Sequence, residues 1–126
     1  MTTFRKERVA EVLLVFLGEQ IRRLQDPRLG FLTITDLDIS PDLKVAKVFW
    51  TIHPGKVQGE GGILPVATKE DIAAGEAALK GIAGLLKRRI GEELKLRYVP
   101  QLLFRYDESI DRGMRIDYLL NKVHAQ

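Results

Sequence analysis

Cysteine is absent from the chain, which excludes disulfides and thiolate metal sites and suits a reducing compartment. Histidine is scarce. His53 stands beside a Gly- and Pro-rich stretch and His124 near the end, and neither has a spaced partner that would make it a general base or a metal ligand. No nucleophile elbow, P-loop or zinc signature occurs. Asp36 and Asp38 lie two apart on an extended segment and share a face; they could hold a metal through oxygen, but solvated or salt-bridge roles are far commoner for such a pair. The expectation is a protein without catalytic residues, cofactor or metal.

Long hydrophobic runs are lacking too: none approaches the roughly 18 residues needed to cross a bilayer. The start has basic residues before the apolar "VLLVFL", as a signal sequence would. Glu7 and Glu11 interrupt it, however, and no small-residue cleavage site follows, so it reads as mature structure and the cytoplasm as the location. A chain of 126 residues, 45% hydrophobic and 29% charged, fits one compact soluble domain with one core.

What is present is periodic. From Arg5 to Gln25, Val9, Val12, Leu13, Phe16, Leu17, Ile21 and Leu24 recur at helical spacing, and Asp26-Pro27 ends that helix by removing a backbone donor and crowding the residue before it. "FLTITDLDIS" and "LKVAKVFWTI" follow as two antiparallel strands around a Ser40-Pro41-Asp42 turn. In the second strand Ala46, Val48, Trp50 and Ile52 form the core face. In the first, the apolar positions change parity from Leu32 and Ile34 to Leu37 and Ile39, which predicts a bulge near Thr35 or Asp36.

Residues 53–66 carry no period and read as a surface loop. Thr68 and Asp71 form a capping-box pattern ahead of a helical stripe through Ile72, Leu79, Ile82, Leu86, Ile90 and Leu94. "QLLFRYDE" is the third strand, with Leu102, Phe104 and Tyr106 on one face. Ile116, Leu119, Leu120 and Val123 suggest a short helix in the tail. The predicted organisation is a domain over 1–109 and an extension over 110–126. Its class is α+β: a three-stranded sheet with helices on one face, in the order helix, strand, strand, helix, kinked helix, strand.

The kink is expected at Gly81 and Gly84, because two glycines in a helix interior cost about 1 kcal/mol each relative to alanine. "GIAG" matches the GxxG loop with which RNA-binding KH domains clamp a nucleotide backbone, a pattern weak by itself. Bending or close packing is the first reading of these glycines, and a phosphate cradle the second. Charge adds weight to nucleic acid. Between Lys80 and Arg97 stand Lys80, Lys87, Arg88, Arg89, Lys95 and Arg97 against Glu92 and Glu93, a net +4 where the whole chain is +3. Arg5, Lys6 and Arg8 add to it from the first helix.

Several unrelated motifs then occur in one order: Asp26-Pro27-Arg28, Thr-x-Thr in the first strand, Ser40-Pro41-Asp42, Leu96-Arg97-x-Val99-Pro100, and Asp107-x-Ser109. In this the chain resembles the ribosome-binding factor A family from about Arg5 to Leu120, the 53–67 loop apart. The resemblance implies a KH-like (type II) fold and binding to the free or immature 30S ribosomal subunit. It also implies support for late maturation of 16S rRNA, including its 5′ end, and no catalysis. The implied partners are 16S rRNA, a maturation GTPase and translation initiation factor 3, and the protein is expected to be a monomer. Family members usually kink at Ala-x-Gly, where this chain has Ile82-Ala83-Gly84 with Gly81 added.

Two other readings stand beside it. One is a stand-alone KH-like module for single-stranded RNA. The other is a protein-interaction domain using Phe49 and Leu103 on the open sheet face. The expected RNA-binding residues are Arg5, Lys6, Arg8, Lys80, Gly81, Gly84, Lys87, Arg88, Arg89, Lys95 and Arg97.

Overall fold

The structure, a computed structural model, describes residues 2–24, 26–29, 32–52 and 67–109. The expected loop over 53–66 and the tail stripe over 116–123, with both histidines, lie outside the described residues. Helix α1 (Thr2–Leu24) leads through a 3-10 turn (Pro27–Leu29) into strands β1 (Leu32–Ile39) and β2 (Val45–Ile52); helix α2 (Lys69–Glu93) and strand β3 (Gln101–Tyr106) follow. Asp26 and Pro27 stop α1 as expected, the Leu29 amide donating to the Asp26 carbonyl at 2.8 Å.

The sheet order is β1-β2-β3, with β1 antiparallel and β3 parallel to the central β2. A parallel neighbour needs a crossover, and α2 supplies it. The register of β1 on β2 shifts between Ile34, opposite Trp50, and Asp36, opposite Phe49. Thr35 is the extra residue. The bulge keeps Leu32 and Ile34 on the same face as Leu37 and Ile39, and in β2 Ala46, Val48, Trp50 and Ile52 are all buried there.

The two halves of the core show how the helices run. Val9, Leu13 and Leu17 of α1 pack with Leu86, Ile90 and Leu94 at the end of α2, over Leu37, Ile39, Ala46 and Val48. Ile21 and Leu24 pack with Ile72, Ala78 and Leu79 nearer the start of α2, around Trp50. The helices are therefore antiparallel on one face of the sheet, and the start of α1 shares an end of the domain with the end of α2. Leu43 joins the first cluster, which puts the β1–β2 turn at that same end.

The glycines do not interrupt α2, which is one unbroken helix where a break at Gly81–Gly84 had suggested two. The reason is tertiary: Leu79, Ile82, Leu86 and Ile90 continue one stripe into both core clusters straight past the glycines, and that burial outweighs their poor propensity. Close packing fails as well, since a Cβ at either glycine would meet nothing within 4 Å. Among the described glycines, the one with no room for a side chain is Gly75. There a Cβ would lie 2.6 Å from the fully buried Trp50 ring. The capping box is present: the Thr68 hydroxyl accepts from the Asp71 amide (3.1 Å) and the Asp71 carboxylate from the Thr68 amide (2.9 Å).

Candidate nucleic-acid interface

Two turns built by short polar motifs frame the charged surface. In the first, the Ser40 hydroxyl donates to Asp42 Oδ1 (2.6 Å) and accepts from the Val45 amide (3.0 Å), while the Lys44 amide also donates to Asp42 Oδ1 (3.0 Å). The Ser40 hydroxyl, then the Lys44 amide, hold the Asp42 carboxyl below the usual carboxylate value. Leu43 follows with φ 63°, a left-handed conformation that costs a leucine about 1–2 kcal/mol. Its packing on the core and the bond from its amide to the Ser40 carbonyl (2.8 Å) offset that strain.

In the second, Leu94, Leu96 and Val99 pack against the core and Pro100 is fully buried, so the Leu96-Arg97-x-Val99-Pro100 segment is pinned at both ends. Arg97 and Tyr98 between the anchors have nowhere to go but outward; Tyr98 is 47% exposed, and the Arg97 guanidinium lies 5.4 Å from its ring centroid. Across the shared end of the domain, Arg5, Pro41, Asp42, Leu43, Arg97 and Tyr98 line a cavity of about 170 Å³. The fold thus joins two expected RNA-binding residues, Arg5 and Arg97, that are far apart in sequence. Asp42 and Tyr98, which stand inside the Ser40-Pro41-Asp42 and Leu96–Pro100 motifs, line the same cavity.

A second group lies along α2. Lys80, Gly84 and Lys87 share one exposed face at 100° per residue, with Gly81 and Arg88 exposed beside it. With open space over both glycines, the backbone there is reachable from solvent between flanking cations. Arg88 lies 3.8 Å from Glu92, an exposed pair worth little. Arg89 points the other way. Its Nη1 donates to Oε1 of Gln20, which is 3% exposed, at 2.6 Å, so it joins α2 to α1 instead of reaching outward. Arg5, Arg8, Lys95 and Arg97 are exposed, and the half-buried Lys6 stands 4.0 Å from Asp38.

Motifs distant in sequence also interlock. On the open face of the sheet Thr35, the bulge residue, donates to Asp107 Oδ2 at 2.8 Å, and the amide and hydroxyl of Ser109 donate to Asp107 Oδ1. The Ser109 hydroxyl first, then Thr35, lower the Asp107 carboxyl below its ordinary range. The Thr-x-Thr and Asp-x-Ser motifs are therefore one structural clasp. Among the described residues no three His, Cys, Asp or Glu side chains converge as a metal site, and no helix is long and apolar enough to cross a membrane. Asp36 and Asp38 are both exposed; Asp36 accepts from the Leu37 amide at 2.8 Å and Asp38 faces Lys6.

Two helices on one face of a three-stranded mixed sheet define an α+β domain of the KH-like class. The family model for ribosome-binding factor A matches residues 5–120. Ribosome-binding factor A of Citrifermentans bemidjiense is 37% identical over 96% of this chain and 92% of its own, and that of Aromatoleum aromaticum is 38% identical over 94% and 84%. The chain belongs to the ribosome-binding factor A family. Its fold is similar to the crystal structure of ribosome-binding factor A from Thermus thermophilus (TM-score 0.63, 23% identity, 82% of this chain and 97% of that one). It is also similar to the Thermus thermophilus factor fitted into a cryo-EM map of a 30S complex, with TM-score 0.55 and 25% identity over 80% of this chain and 93% of that one.

Proposed function

We propose that this protein binds the free or immature 30S subunit and assists late maturation of 16S rRNA, 5′ end included, by charge and shape and without catalysis, as a cytoplasmic monomer. A maturation GTPase and translation initiation factor 3 would act with it. Residues 1–109 form the RNA-binding domain, and 110–126 are a C-terminal extension of the chain. Family membership supports the reading, as does the 30S complex of the Thermus thermophilus relative. The observation that carries it is the outward, unburied set Lys80, Lys87, Arg88, Lys95 and Arg97, with Arg5 and Arg8 brought to the same end as Arg97. Arg89 serves the fold, through Gln20.

Co-sedimentation with purified free small subunits over a salt series tests this. If about six phosphates are neutralised, log affinity falls against log salt with a slope near -5. Reversing Lys80, Lys87 and Arg88 to Glu lowers binding and flattens the slope. A protein that ignores small subunits in dilute buffer overturns the reading. Binding to scattered mRNA in preference to subunits would favour a general single-stranded RNA module.

A further inference from the structure

We propose that the cavity between the β1–β2 turn and the Leu96–Pro100 segment takes one unstacked base of single-stranded RNA, and that Asp42 makes guanine the preferred base. The inference deepens the RNA-binding reading and rests on it. The cavity, about 170 Å³, has room for one planar base but not for a helix. Its lining includes apolar surface that a base needs, from Pro41, Leu43 and the Tyr98 ring. The guanidinium of Arg97, already over the Tyr98 ring, offers a second planar surface, and bases stack on both kinds. Arg5 and Arg97, also in the lining, supply charge for the phosphates of the inserted nucleotide.

Selectivity follows from the acceptor. A carboxylate has no proton to donate, so the partner edge must carry donors. Asp42 Oδ1 is occupied by the Ser40 hydroxyl and the Lys44 amide, which fixes the carboxylate on its turn and leaves its remaining acceptor capacity on Oδ2. Guanine presents two adjacent donors, N1–H and the N2 amine. Adenine and cytosine place a ring acceptor beside their amine, and uracil flanks its N3–H with two carbonyls, so each sets a lone pair against the carboxylate. The strained Leu43, with φ 63°, follows Asp42 in the same turn and lines the same cavity.

The full chain is titrated, in dilute buffer, with labelled uridine hexamers with and without one central guanosine, with a duplex RNA of similar charge, and with free small subunits. The guanosine hexamer binds about tenfold tighter than oligouridine, the worth of one well-made base-edge contact. Asp42→Asn removes that preference or turns it toward bases with an acceptor edge, because the amide keeps an oxygen for Ser40 and Lys44 and places an N–H₂ where Oδ2 was. Tyr98→Ala weakens both hexamers about tenfold and leaves duplex binding unchanged. If Asp42→Asn lowers the melting temperature, Tyr98→Ala decides alone. Equal binding of the hexamers by the native chain, or hexamer binding untouched by Tyr98→Ala, overturns the base pocket while subunit binding keeps the RNA reading alive. Failure of every RNA, subunits included, overturns both.

Discussion

Gly75 and Gly84 stand nine residues apart on α2 and face opposite demands. Gly75 is buried with the Trp50 ring pressed against it, so that a Cβ would sit 2.6 Å from one ring carbon and 2.8 Å from another. Gly84 faces open space, and so does Gly81. Packing explains the first glycine, while no neighbour of the other two asks for a missing Cβ. On the proposed RNA-binding reading, these two glycines leave the helix backbone open to a polyanion between the exposed cations Lys80, Lys87 and Arg88.

The largest test of the contrast is Gly75→Val. Trp50 is a rigid, fully buried ring with Tyr106 edge-on to it at 5.1 Å, so it cannot yield as a flexible side chain would. Overpacking there is expected to remove about 3 kcal/mol, measured by urea denaturation. A stable variant would mean that the helix can move off the sheet and that Gly75 is as dispensable as Gly84. Next comes Arg89→Ala. It strips Gln20 of its buried partner and is expected to cost about 2 kcal/mol, whereas Lys87→Ala, two residues away and exposed, should leave the melting temperature unchanged while weakening subunit binding. Equal melting shifts from the two would erase the division between an inward and an outward side of this helix.

The legible parts of this molecule were those that repeat or that cap. The parity change between Ile34 and Leu37 foretold the bulge, because a strand's period of two leaves no other way to bury both pairs. Thr68 and Asp71 foretold the start of α2. Nothing in the sequence marks Gly75, because a glycine's need for space lies in what crosses it, here Trp50, a neighbour fixed only by tertiary packing. Gly81 and Gly84 misled for the complementary reason: propensity suggested a break, and core burial on the opposite face of the helix overruled it. Within the candidate interface, charge density points to the cations, but only the fold shows that Arg5 and Arg97 line one cavity and that Arg89 turns to Gln20. Nothing in a list of lysines and arginines marks Tyr98 or Asp42 as their companions.

The contrast can also be sharpened from the sheet side of Trp50. The Asp107 amide donates to the Trp50 carbonyl at 2.7 Å, and the Asp107 side chain is clasped by Thr35, so this clasp helps hold the strand on which Gly75's neighbour rides. Thr35→Val is expected to cost about 1 kcal/mol. Because folding lowers the Asp107 carboxyl below its ordinary 3.8, its contribution is whole above that value and is lost as pH falls through the lower folded one. Wild type should therefore lose more stability than Asp107→Asn between pH 5 and pH 2, each followed by thermal melting at steps of about half a pH unit. Parallel curves would show that the carboxylate is not what the clasp holds.

The smallest effect is the most telling about function. Gly84→Ala places a methyl group into open space on a helix that is continuous through the position, so the fold should gain between about 0.5 and 1 kcal/mol from reduced freedom of the unfolded chain. A stabilising change that also weakens small-subunit binding several-fold would show that the exposed backbone between Lys80 and Lys87 is itself a contact, held open at the expense of the helix. Stabilisation with undiminished binding would confine the interface to the charged side chains. Lost stability would mean that another element approaches Gly84 after all, and the distinction between the two glycines would collapse.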